Sequence, residues 1–112
     1  MKLAVNATDD QLWKWFTVPG QDGEVELRLL SRDELTALGK NTSLPVQAKY
    51  IATNFFRDFK NMKDINGEEV KNSLEMRVEV LTDRQLWAFV TSKLTDLGGW
   101  FEEGKGGSGS AS

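Results

Sequence analysis

Asp64, Asn66 and Gly67 come nearest to a metal-binding pattern in this chain. A calcium loop of the helix–loop–helix kind needs oxygen ligands at its first and last positions and a glycine at its sixth. With Gly67 in that sixth place the first ligand falls on Met62 and the last on Ser73, and neither can hold calcium. Asn66-Gly67 therefore reads as a tight turn. The acid pairs Glu68-Glu69 and Glu102-Glu103 are adjacent in sequence. On a helix such neighbours point about 100° apart, so they read as solvated charges and not as a shared acid/base dyad. The chain has no cysteine and no histidine, which removes disulfides, thiolate nucleophiles, Ser/His arrangements and the usual zinc ligands. No glycine-rich phosphate loop follows a strand and opens a helix. Nothing nominates a base with a tuned pKa, so the expectation is no enzyme, no cofactor and no metal.

Chemistry of a different kind is carried by the aromatics, four Trp, six Phe and one Tyr. Trp13 and Trp15 are spaced to share one face of a strand, while Trp87 and Trp100 lie on or beyond a C-terminal helix. They have two readings: core residues whose indole N–H groups reach the rim, or anchors displayed for a partner. An oligomer would satisfy both.

The elements that must position these rings follow from periodicity. Residues 12–18 (LWKWFTV) favour a strand, the cluster Pro19-Gly20-Gln21-Asp22-Gly23 is turn chemistry, and residues 24–29 (EVELRL) alternate charged with apolar. A β-hairpin is expected. Ser31 with Glu34 forms a capping box that opens a short helix through Leu35 and Leu38, ending near Gly39 and Asn41. Residues 45–62 (PVQAKYIATNFFRDFKNM) carry the longest helical beat. Ala48, Ile51, Ala52, Phe55, Phe59 and Met62 recur at three- and four-residue intervals, and Pro45 suits the first turn. One long helix is expected there. Beyond the Asn66-Gly67 turn, Asn72 with Glu75 caps a helix over residues 73–81, and Thr82 with Gln85 caps another over residues 83–97.

At 112 residues the chain is one domain: residues 1–11 an arm or short strand, 12–103 the globular part, and 104–112 a flexible Gly/Ser tail. The net charge of −3, with no clustered excess of Lys and Arg, disfavours nucleic-acid binding. No apolar run nears the roughly 20 residues of a membrane span, and residues 1–10 lack the apolar core of a secretory signal, so a cytoplasmic protein is expected. The expected fold class is α+β, mainly helical, an N-terminal β-hairpin packed on three to four α-helices.

That succession resembles the tail assembly chaperones of long-tailed bacteriophages and prophages. The resemblance runs from about Phe16 to the C-terminus. It is carried by EVELRLLSRDELTAL at residues 24–38, by FFRDFKNMKDINGEEV at residues 55–70, and by WFEEGKGGSGSAS at residues 100–112. The Trp13 and Trp15 strand has no counterpart in that pattern. The resemblance implies a mainly helical, non-enzymatic, self-associating protein of the host bacterial cytoplasm. It implies as partners the tape-measure protein, which such chaperones coat, and the tail-tube protein, which they recruit. It also raises a longer form made by frameshifting, and Gly104-Lys105 is a dipeptide that a slippery heptamer encodes; a linker or expression scar explains the same tail. The expected contact residues are Tyr50, Phe55, Phe56 and Phe59 on the long helix, with Trp100 and Phe101 before the tail. Two other functions fit the same elements: a structural head–tail joining or tail-completion protein, and a small regulatory adaptor.

Overall fold

Alternation in residues 24–28 places Val25 and Leu27 on one face and Glu24, Glu26 and Arg28 on the other, and the chain folds around that distinction. The computed structural model describes residues 5–40 and 43–96. Strand β1 (Trp13–Thr17) pairs antiparallel with β2 (Glu24–Arg28) in the register Phe16↔Val25 and Lys14↔Leu27. The turn between them is closed by the Val18 N–H donating to the Gly23 carbonyl, with Gly20 in the left-handed region at φ 75°. Before β1, Asp9–Leu12 makes a single 3-10 turn, and the Leu29 N–H donates to the Leu12 carbonyl. Residues 9–11 of the expected arm are thus tied to the sheet.

The helix α1 (Arg32–Lys40) begins as expected: the Ser31 N–H donates to Glu34 Oε1 at 2.8 Å and the Glu34 N–H to Ser31 Oγ at 3.2 Å. α2 (Leu44–Asn54) starts with Pro45 in its first turn. It does not continue to Met62. The chain leaves the helix at Phe55, and Phe56–Lys60 forms a third strand, β3, antiparallel to β2. The physical reason lies at Arg57. β2 pairs Leu27 with Phe56 and Glu26 with Asp58, so Arg57 is an extra residue in the ladder. That bulge lets Phe56 and Phe59, three apart, face the same side of a strand, a spacing that otherwise belongs to a helix. Asn54 Nδ2 donates to the Tyr50 carbonyl and Thr53 Oγ1 to the Lys49 carbonyl, local bonds that compete with helix continuation.

After β3 the Asp64 side chain organises the Asn66-Gly67 turn, its Oδ1 accepting from the Asn66 and Glu68 N–H groups at 2.8 and 2.9 Å. Gly67 sits at φ 83°. Ile65 is fully solvent-exposed, and an isolated antiparallel bridge, Lys63↔Glu69, joins the two sides of the turn. The two later caps are each one residue downstream of expectation. Ser73 Oγ caps α3 (Leu74–Val80), because Asn72 instead donates to the Arg57 carbonyl and accepts from Arg77. Asp83 caps α4 (Arg84–Thr95), while Thr82 Oγ1 donates back to Glu79.

The described residues form an α+β fold, a three-stranded antiparallel sheet in the order β1-β2-β3 with four α-helices. The core joins Phe16, Val25, Leu27, Phe56 and Phe59 of the sheet to Ala48, Ile51 and Ala52 of α2 and to Leu86, Val90 and Leu94, one stripe of α4. Trp13 and Trp15 take neither of their two readings cleanly. They lie half-buried on the opposite sheet face, where the Arg57 guanidinium stands 4.3 Å from the Trp13 ring and Lys60 Nζ 4.4 Å from the Trp15 ring. Arg57 also makes a two-pronged pair with Glu26, both bonds 2.9 Å.

Candidate functional site

The third strand changes which aromatics a partner could reach. Phe55, Phe56 and Phe59, expected on a contact surface, are at most 6% exposed and belong to the core. Phe56 and Phe59 are held there by pairing with β2, and Phe55 by its place at the end of α2. Tyr50 alone of that set remains half-exposed on α2, its ring edge-on to Phe55 at 5.3 Å between centroids. Trp100 and Phe101 lie outside the described residues.

What α2 does present is its first turn. Leu44 is 60% exposed and Val46 49%. Val46 forms an apolar flank with Pro45 and Tyr50, bordered by Lys49, Thr53 and Asn54. The flank runs into a cleft of about 250 Å³ where the start of α2 meets the α3–α4 corner, lined by Leu44, Pro45, Ala48, Val78, Leu81 and Trp87, with Arg84 and Thr82 as its polar members. The sequence carried a signal for this surface. Val46 and Tyr50 are four apart, a second stripe beside the buried Ala48, Ile51 and Ala52, and it was hidden by the stronger beat of the phenylalanines.

A second groove, about 610 Å³, meets the first at Thr82. Its walls are the β1–β2 turn, the segment after β3, α3 and the start of α4. Gln21 Nε2 donates to Gln85 Oε1 at 3.1 Å, tying the hairpin tip to α4. Gly23 leaves room for Met62, since a Cβ there would stand 3.2 Å from the Met62 methyl. Sequence reasoning missed this groove, because its residues come from four separated segments.

Asp64 and Asp83 each spend Oδ1 on a turn or a cap. Among the described residues no group of three or more acidic, His or Cys side chains is placed to hold a metal ion. The Glu34 carboxyl has a displaced pKa, and its position is structural. Burial pushes it up, but the Ser31 N–H, the Arg28 guanidinium and the Ser31 hydroxyl together outweigh that and hold it below its ordinary value. Among the described residues no helix is long and apolar enough to cross a membrane. No family model, no curated protein and no solved structure matches this chain.

Proposed function

We propose that this chain is a non-enzymatic protein-binding domain acting as a tail assembly chaperone of a long-tailed phage or prophage. In the host bacterial cytoplasm it holds the tape-measure protein and recruits tail-tube subunits. The observation that carries the reading is the apolar flank of α2. The domain closes its core without Leu44, Val46 and the outer side of Tyr50, and leaves them in water beside an apolar cleft. Covering one such large side chain is worth roughly 1.5–3 kcal/mol, so a chain that reaches the flank gains by staying. The neighbouring Lys49 keeps the exposed flank hydrated. The order of hairpin, capped helix, Asn-Gly turn and closing helix supports the same family likeness.

The test is co-purification of the full chain with the tape-measure protein of the same phage or prophage. The expected result is a complex that Val46→Glu weakens about tenfold or more, as loss of a central apolar contact does. A chain that ignores tape-measure protein, a complex indifferent to Val46→Glu, or mass spectrometry finding the chain in mature virions would each overturn the assignment.

A further inference from the structure

The larger groove has a chemical character that the α2 flank lacks. Its floor is apolar and deformable: Met62, Val70, Met76 and Val80 are half-buried there, over the buried Val18 and Leu86. Methionine side chains adapt to irregular apolar partners better than branched ones do. The rim is acidic, and each of four structural elements contributes one exposed carboxylate: Asp22 from the hairpin turn, Asp64 from the segment after β3, Glu79 from α3 and Asp83 from the α4 cap. Among the described residues Lys63 is the one cationic side chain in the lining. These carboxylates do not gather into a site for a metal ion. They surround an apolar trough several side chains long, and a ligand must answer both features at once.

We propose that this groove binds a cationic amphipathic segment of a partner polypeptide, its apolar side chains on the methionine floor and its lysines or arginines against the rim. Charge selects this occupant. An acidic or neutral segment of equal apolar content would set its own charges against Asp22 and Glu79, or leave the rim carboxylates without counter-charges. The chain's own Trp100-Phe101-Glu102-Glu103 stretch is disfavoured for that reason. Asp83 contributes least, since its carboxylate also caps the positive N-terminal end of α4. Asp64 is committed in part to its turn. Glu79 and Asp22 are therefore the discriminating residues. Both are exposed, and neither side chain caps a helix or organises a turn as Asp64 and Asp83 do, so they can be changed without unmaking the fold. The inference stands on this groove alone and does not require the phage assignment.

The experiment titrates the full chain with a synthetic helical peptide of about fifteen residues, apolar on one face and lysine on the other, and with its glutamate counterpart. Binding is read by calorimetry and by the carbon-13 methyl signals of methionine, assigned with Met76→Leu. The expected result is one-to-one binding of the lysine peptide with the Met62 and Met76 methyl signals moving, an affinity that falls with added salt, and no binding of the glutamate peptide. Asp22→Lys with Glu79→Lys should weaken binding at least about tenfold, the milder pair Asp22→Asn with Glu79→Gln should weaken it less, and Val46→Glu should leave it unchanged. Circular dichroism confirms that each variant is folded. Equal binding of both peptides, an affinity indifferent to the Asp22 and Glu79 changes, or methyl signals that stay still while the peptide binds would overturn the proposal. Because Val46→Glu leaves this groove intact, loss of the tape-measure complex and loss of peptide binding are read separately.

Discussion

Glu34 does two jobs with one carboxylate. It receives the Ser31 N–H to cap α1, and it pairs with Arg28 at 3.1 Å, linking the end of β2 to the helix that follows. Glu34→Gln keeps a capping-box acceptor and removes only the charge, so it isolates the Arg28 attraction. A carboxyl whose folded pKa lies below its unfolded value adds stability above the unfolded value, and that stability is lost as pH falls through the folded one. At neutral pH, urea denaturation should therefore find Glu34→Gln weaker than the parent by roughly 0.5–1 kcal/mol. The gap should close as pH drops below the ordinary carboxylate range, and a gap unchanged down to strong acid would rule the charge out. The Ser31–Glu34 box was legible because it involves residues three apart in sequence. Ser73 and Asp83 were each missed by one residue, because Asn72 and Thr82 are equally good caps by type and were drawn away by Arg57, Arg77 and Glu79.

β3 is the element on which the functional reading turns. Were residues 55–60 helical, their phenylalanines could face a partner; as a strand paired with β2 they are sealed against Val25, Leu27 and Ile51. Phe56→Ala should then cost about 3–5 kcal/mol by denaturation, the penalty of emptying a packed ring site. Tyr50→Ala, half-exposed, should cost clearly less. Similar small losses at both positions would mean that Phe56 is not in the core. The hairpin of β1 and β2 was readable from strict alternation around a Pro-Gly turn. β3 was not, because its bulge at Arg57 replaces a two-residue period with a three-residue one, and a run of about five residues holds too few repeats to tell the two apart.

Among the described residues, Leu44 and Val46 put two exposed apolar side chains where α2 begins, and four carboxylates stand around the methionine groove. Leu44→Glu with Val46→Glu should leave thermal stability within about 0.5 kcal/mol of the parent, since both side chains already stand in water. The same pair should abolish any concentration-dependent sedimentation, the signature of self-association through the flank. Association that survives both changes would place that interface elsewhere. By itself the sequence determined the absence of thiol and imidazole side chains, the hairpin, the α1 cap and the Asn66-Gly67 turn, all of which depend on residue type or on neighbours a few positions apart. Tertiary structure decided that residues 56–60 join the sheet, that the phenylalanines are core, and that Asp22, Asp64, Glu79 and Asp83 share one rim. The reason is range: β2 has an edge that only a distant strand can fill, and neither that pairing nor a groove built from four segments is written in local spacing.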